Sequence, residues 1–330
     1  MKTMNFFRIT ILVACLGLFF ACSKSNNSGG SSTATTESDL QAQSDDQTMA
    51  SNEDDAMNND ADAALSSNAS IAGSSVNSTS VNNRIATMGV NGVDSLNIIC
   101  DATITFDTTS TTRTVTITYN GSNCWGNRTR SGSISITVPT GIHWGDVGAT
   151  VTITVDNLKI TRVRDNKSIT FNGTKTITNV TGGLLKDLAN LTSVTHTIAA
   201  TLTITYNNGK TANWNVSKQR VFAYNDGVQI STTGTHSDGT NTDVAEWGEN
   251  RFGVSFESLI TATKVIEQSC DFRLTSGSNE IINSKGATAT ITYGLDSTGA
   301  ATTCPGSGFY YAELVYVGPA GKTFTYIFPY

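Results

Sequence analysis

Short runs of strictly alternating apolar and polar residues, repeated from about residue 93 onward, constrain the fold of this chain more than any other feature. In the longest run, residues 197–206, the apolar positions Ile198, Leu202 and Ile204 alternate with threonines. A period of two with β-branched residues on the polar side is typical of half-buried antiparallel strands. Only residues 183–193 show helical spacing, which predicts a short connector. The pattern therefore predicts an all-β domain.

Turn residues between these runs indicate hairpins. Asn-Gly or Asp-Gly pairs begin at Asn120, Asn172, Asn208, Asp226 and Asp238, and such pairs are the strongest short-range hairpin signal. Because consecutive hairpins occur without the spacing of β-α-β units, we expect a long antiparallel meander. The meander can form either a two-layer sandwich or an extended curled sheet, and the sequence leaves both open.

The apolar pattern also predicts the register of two hairpins. A three-residue loop at residues 207–209 places Leu202 opposite Trp214 and keeps one face apolar, whereas a two-residue loop places Leu202 opposite Asn215. The same register at residues 225–227 pairs two apolar strands. We therefore predict three-residue loops with a G1 bulge at both turns, and a core position for Trp214.

The first 22 residues have the features of an export signal. Residues 1–8 are basic, and residues 9–21 form an apolar stretch that is long enough for a secretory signal and too short to span a bilayer. The stretch ends at Ala21-Cys22, which resembles the lipobox of bacterial lipoproteins, although Phe19 stands where that motif prefers Leu. The resemblance implies lipid attachment at Cys22, with ordinary signal-peptide cleavage as the alternative.

Position and flanks support Cys22 over Cys15 as the lipidated residue. Cys15 fits the motif better locally, but it would leave only residues 9–11 as an apolar core. Ser23 follows Cys22, and it is not the Asp that retains some lipoproteins in the inner membrane. We therefore expect a cell-envelope, outer-membrane lipoprotein that faces either the periplasm or the outside, with the membrane as a partner through the anchor.

Residues 23–83 contain no aromatic residue, Pro or Arg, and carry nine acidic residues against one Lys. Such a composition buries too little apolar surface to offset the entropy of ordering, so it predicts a disordered tether. As a flexible coil it would reach roughly 40–45 Å, and a solubilising leader without a length requirement is the alternative. The predicted organisation is a signal at 1–22, a tether at 23–83 and an all-β domain at 84–330.

Charge in the remaining domain argues against nucleic acid as a partner. The whole chain has a formal net charge of −6, but from Arg84 onward the 18 basic and 18 acidic residues cancel. A neutral domain lacks the basic surface that nucleic-acid binding needs.

Four cysteines follow the signal: Cys100, Cys124, Cys270 and Cys304. An even number in an exported domain indicates disulfides, and four cysteines allow three connectivities. Local pairing, Cys100 with Cys124 and Cys270 with Cys304, fits a meander best because each pair flanks one or two hairpins. No pair has zinc-site spacing and no His lies near one, so we expect no metal site.

Several stretches resemble, in order, a family of uncharacterised Gram-negative lipoproteins. They are residues 114–118 followed by Cys124, the Arg-Thr-Arg-Ser-Gly-Ser-Ile stretch at 128–134, residues 151–157, residues 173–179, and the Cys-Asp-Phe-Arg-Leu-Thr-Ser-Gly stretch at 270–277. Residues 119–121 depart from the family, which tends to have Asp-Phe-Gly there. The resemblance covers about residues 100–304 and implies the location and the disulfides, but it transfers no functional site.

Motifs of known enzyme chemistry are missing from the sequence. There is no Gly-x-Ser-x-Gly, His-Glu-x-x-His or phosphate-binding loop, so we expect no cofactor and a non-enzymatic role. Residues 238–243 have alternating oxygen ligands but lack the Gly and Glu of a calcium loop, which favours a polar turn. Glu246, Glu249 and Glu257 flank Trp247, and a glycoside hydrolase that uses such a pair of carboxylates is the weakest alternative.

Trp125 and Trp144 lie in loop-like stretches and are the candidate exposed binding aromatics. The sequence thus predicts a lipid-anchored β domain with a structural or interaction role. The alternative is a surface glycan-binding or adhesion module that uses these aromatic residues, with a glycan or another protein as its partner.

Overall fold

A computed structural model describes residues 37–73, 99–109, 112–306 and 308–330. Cys22 and the rest of the predicted signal lie outside the described residues. Within the described ranges, fourteen strands form one sheet. They are β1 Ala102–Asp107, β2 Arg113–Ser122, β3 Arg128–Val138, β4 Ala149–Arg162, β5 Ser168–Asn179, β6 Val194–Tyr206, β7 Thr211–Tyr224, β8 Val228–Gly234, β9 Val244–Glu249, β10 Ser255–Glu267, β11 Arg273–Asn283, β12 Thr288–Leu295, β13 Tyr311–Val317 and β14 Thr323–Pro329.

Strand order in the sheet follows chain order, and neighbouring strands are antiparallel. The one departure is that β8 and β9 share the space between β7 and β10. Each of the two short strands pairs with part of both long ones. The predicted all-β meander is confirmed, and its form is a single extended sheet rather than a two-layer sandwich.

The predicted register of the β6–β7 hairpin is confirmed. Leu202 pairs with Trp214, the loop is residues 207–209, and Gly209 takes a φ of 77° that glycine tolerates best. Trp214 is buried, as predicted. A 3₁₀ helix, Leu185–Asn190, occupies the stretch that was expected to form a short connector.

The β7–β8 hairpin has the predicted pairing but a different loop conformation. Tyr224 pairs with Val228 across three loop residues. The left-handed backbone falls on Asp226, at a φ of 53°, while Gly227 is close to extended at 158°. Aspartate tolerates the left-handed region better than most residues, so the turn closes without using its glycine there.

A long helix occupies much of the segment that the sequence analysis assigns to a disordered tether. Helix α1 spans Glu37–Ser67 and α2 spans Ala69–Ala72, with Asn68 between them accepting a hydrogen bond from the Ser70 amide. Most residues of α1 are buried between positions 43 and 65. The tether prediction is therefore wrong for residues 37–72.

Ion pairs with the sheet explain why such a polar segment is ordered. The inner face of the sheet and its turns carry basic residues that neutralise the acids of α1. These ion pairs supplement the small hydrophobic contribution of the helix. The pairs are Arg162 and Lys167 with Asp45, Arg251 with Asp46, Arg128 with Glu53, Lys175 and Lys218 with Asp54, and Arg130 with Asp60.

The sheet curls around α1: side chains of β2 to β7, β9 and β10 form hydrogen bonds or ion pairs with the helix. Met49, Met57 and Leu65 of the helix join one hydrophobic cluster with residues of almost every strand. Among the described residues, no helix is long and apolar enough to cross a membrane.

Candidate ligand-binding pocket

One stripe of α1 remains partly exposed where the curled sheet does not cover it. Between positions 43 and 65 the partly exposed residues are Asp45, Asn52, Ala56, Asn59, Asp60 and Ala63. Residues 52, 56, 59 and 63 follow helical spacing and therefore lie on one face. This Asn-Ala-Asn-Ala stripe lines the floor of a pocket of about 720 Å³, a size within the range of small-molecule sites.

A first rim, residues 123–128, borders the pocket on the side of β2 and β3. The Cys100–Cys124 disulfide joins it to the segment before β1, with Cα atoms 5.3 Å apart. Within the rim, the Asn123 Oδ1 accepts hydrogen bonds from the amides of Asn127 (3.1 Å) and Arg128 (3.2 Å). A covalent bond and a side-chain clamp thus hold this loop.

A second rim, residues 270–274, 304–306 and 308–310, borders the other side and has the same design. The Cys270–Cys304 disulfide joins its two segments, with Cα atoms 5.1 Å apart. The guanidinium of Arg273 donates to the carbonyls of Cys270 (3.1 Å), Gly306 (2.9 Å) and Gly308 (2.9 Å). The locally paired disulfides predicted from the sequence are confirmed, and both lie at this pocket.

Each rim presents a large aromatic side chain that is about half exposed. Trp125 of the first rim is 52% exposed and Phe309 of the second is 53% exposed. Tyr310 and Tyr330 also line the pocket, with ring centroids 6.2 Å apart in a stacked arrangement. Aromatic surface left in water at a rigid concave site is a common feature of binding sites.

Carboxylates in the pocket are held by cations. Glu53 accepts from the Arg128 Nε at 2.6 Å, and Asp60 accepts from the Arg130 Nη1 at 2.6 Å. The same Arg130 binds Asp101 through two nitrogens, at 2.7 and 2.6 Å. Burial raises the pKa of Asp60, although the charge of Arg130 opposes this shift. These ion pairs attach the helix to β3, and they leave the carboxylates engaged rather than poised for acid–base chemistry.

Trp144 does not belong to this site, and its prediction as an exposed aromatic is wrong. It is 1% exposed and its Nε1 donates to the Asp62 Oδ1 at 2.8 Å. Asp62 also lies 3.9 Å from the Nε2 of His196, which pairs with Arg220 across β6 and β7. Burial raises the pKa of Asp62 to about 7 and, with the charge of Arg220, lowers the pKa of His196 to about 3. The loop around Trp144 is covered because α2 packs on it, with the amides of Trp144 and Gly145 donating to the carbonyls of Ile71 and Ala72.

Of Glu246, Glu249 and Glu257, which were considered for a hydrolase, Glu246 and Glu257 lie on opposite faces of the sheet. Glu246 points inward, where it accepts from Lys218 Nζ at 2.6 Å, while Glu257 accepts from Asn241 on the other face. Residues 238–243 form a polar turn in which the Asp238 Oδ1 accepts from the amides of residues 240 and 241.

No protein-family model, curated protein or solved structure matches this chain. The resemblance to a lipoprotein family stays a prediction.

Sequence reasoning identified Trp125 and the four cysteines of the rims, but it missed Phe309 and the helical floor. Phe309 lies in an irregular stretch that has no strand pattern, so nothing in its spacing marks it. The floor was missed because the helix itself was not predicted.

Proposed function

We propose that this chain is a carbohydrate-binding module of the bacterial cell envelope. The observation that carries the proposal is the pocket of about 720 Å³, in which Trp125 and Phe309 are exposed on opposite rims. Each rim is held by its own disulfide. The C–H face of a sugar ring packs on an aromatic ring, while amide and guanidinium groups bind its hydroxyls. Trp125 and Phe309 supply the first kind of contact, and Asn52, Asn59 and the rim arginines supply the second.

The ordered rims favour ligand binding. A site whose loops are already ordered loses little conformational entropy when a ligand enters. The carboxylates of the pocket, which a glycoside hydrolase would need, are bound to cations. A glycoside hydrolase is therefore a weaker proposal than a binding module.

We expect Trp125→Ala to weaken oligosaccharide binding about 5- to 20-fold, because it removes an exposed stacking surface worth roughly 1–2 kcal/mol. Isothermal titration calorimetry with hits from a glycan array would measure the change. Phe252→Ala is the matched control, since Phe252 is 45% exposed and does not line the pocket. Equal binding by both variants, or no glycan bound by the wild-type protein, would overturn the proposal in favour of a purely structural domain.

The cell-envelope location is supported by two disulfides, which persist in oxidising compartments, and by the lipobox-like Ala21-Cys22. We propose that Cys22 carries the lipid anchor of an outer-membrane lipoprotein.

We expect Cys22→Ser to move the protein from the detergent phase to the aqueous phase when it is expressed in a Gram-negative host and extracted with detergent. Cys15→Ser is the control and should stay with the membrane, because residue 15 would be removed with the signal. Retention of the Cys22→Ser protein in the detergent phase would contradict the anchor.

A further inference from the structure

Charge is not balanced evenly around the pocket. Each of the acidic residues that line it has a cation within 4.0 Å. The pairs are Glu53 with Arg128 at 2.6 Å, Asp60 with Arg130 at 2.6 Å, Asp55 with Lys218 at 3.7 Å and Asp271 with Arg273 at 3.8 Å.

Arg164, in the turn between β4 and β5, differs from the other arginines of the pocket. Its nearest paired carboxylate is Asp45, whose Oδ1 is 4.0 Å from the Nη2. Asp45 already binds Arg162 at 2.7 Å and Lys167 at 2.5 Å. The charge of Arg164 is therefore compensated at a distance, by Asp45, which two other cations also bind, and by Asp165, which pairs with Arg162.

The direct contacts that position Arg164 are with uncharged groups. Its Nη2 donates to the Pro329 carbonyl at 2.8 Å, and its guanidinium lies over the ring of Phe309, 5.8 Å from the centroid. Burial lowers the pKa of Arg164, and the charge of Arg162 lowers it further. The charges of Asp45 and Asp165 oppose this shift, and a bound anion would further offset the cost of burying the guanidinium charge.

We infer that the carbohydrate bound in this pocket carries an anionic group, a carboxylate or a sulfate on the sugar ring, that pairs with Arg164. The geometry is compatible with simultaneous contacts, because the guanidinium and the Phe309 ring are neighbours in one wall. A sugar ring stacked on Phe309 carries its carboxylate or sulfate within a few bonds of the ring. Arginine suits both anions because its planar donors match two oxygens at once. This inference rests on the proposed carbohydrate-binding function.

The test compares charged and neutral forms of the same sugars on the full-length protein. The probes are a galacturonate tetramer and its methyl ester, and a sulfated galactan oligosaccharide and its desulfated form. We expect at least one acidic probe to bind 10-fold or more tightly than its neutral form at low salt, with a smaller ratio at high salt. The preferred probe distinguishes a carboxylate ligand from a sulfate ligand.

Arg164→Gln should reduce affinity for the acidic probe about 5- to 20-fold and leave the neutral form unchanged, whereas Arg164→Lys should retain part of the preference. Lys210→Gln, in the exposed β6–β7 turn outside the pocket, is the control for net charge. Equal binding of acidic and neutral forms, or an Arg164→Gln variant with unchanged preference, would overturn this inference while the binding function stands. Failure of every sugar would instead overturn the proposed function.

Discussion

Asp45 and Asp62 belong to the same helix, yet their surroundings shift their pKa values in opposite directions. Burial alone would raise the pKa of Asp45, but hydrogen bonds and charges from Arg162 and Lys167 lower it to about 2. Burial raises the pKa of Asp62 to about 7, and the Trp144 hydrogen bond and the charge of Arg220 offset this only in part. The first part of α1 is thus held by charge pairing, and its last turns are held by packing that disfavours charge.

The difference shows that one acidic helix can respond to pH in two directions. Carboxylates with close cations stabilise the fold when they are ionised, whereas a buried carboxylate without one stabilises it when protonated. Replacing single residues in each region should separate the two responses.

The largest effect is expected in the charge-paired region, from Lys175→Met. Lys175 and Asp54 are both buried and form a direct ion pair. Removal of one partner leaves a buried charge poorly compensated, which typically costs about 3–5 kcal/mol of unfolding free energy. Urea denaturation at pH 7 would measure the loss, with Lys159→Met on the exposed face of β4 as control. A loss below about 1 kcal/mol would show that Lys218 alone can neutralise Asp54.

In the region held by packing, Asp62→Asn should increase stability at pH 8 by about 2–4 kcal/mol, scaled from the pKa shift. The folded-state pKa of about 7 lies above the ordinary value of 3.8. The contribution of Asp62 is therefore complete below pH 3.8 and is lost as pH rises through 7. Asparagine still accepts the Trp144 hydrogen bond and carries no charge, so the variant should lose this pH dependence. Parallel stability curves for variant and wild type from pH 4.5 to 8 would contradict it.

The smallest effect is expected from Asp45→Asn, about 1 kcal/mol of destabilisation at pH 7, because this side chain is partly exposed and its ion pairs are screened by solvent. Here the folded-state pKa of about 2 lies below 3.8. The stabilisation is present above pH 3.8 and is lost as pH falls toward 2. The difference between variant and wild type should therefore shrink in acid, opposite to the trend for Asp62. Chemical denaturation at pH 3 and pH 7 would show whether it does.

Much of the sheet was predictable because its register is a local property. Alternation placed Leu202 opposite Trp214, and turn residues located the hairpins. The helix was not predictable from its own residues, since its composition is that of a disordered segment. The signal lay in the sheet, where Lys175 shares the inward face with Ile177, and Lys218 shares it with Val216. Cations at inward positions require anionic partners, and the excess of acidic over basic residues in this chain lies in residues 23–83.

The pocket was predictable only in part for a related reason. Trp125 could be recognised because it adjoins a disulfide in a turn, which predicts exposure. Arg164, Phe309 and the Asn-Ala stripe come together only after the sheet has curled around α1, so their proximity depends on long-range geometry that no local pattern encodes.

The position of α1 near the start of the chain affects the order in which its native contacts form during folding. Its partners lie far downstream: Asp46 binds Arg251, 205 positions later, and Ser51 accepts from Lys264, 213 positions later. During synthesis the helical segment leaves the ribosome before any strand that will neutralise it, and contacts of such sequence separation form slowly. A segment that lacks aromatic residues and is rich in carboxylates can remain unfolded and soluble without aggregating. We therefore expect that α1, although it is synthesised before the strands, is the last of the described segments to reach its native contacts.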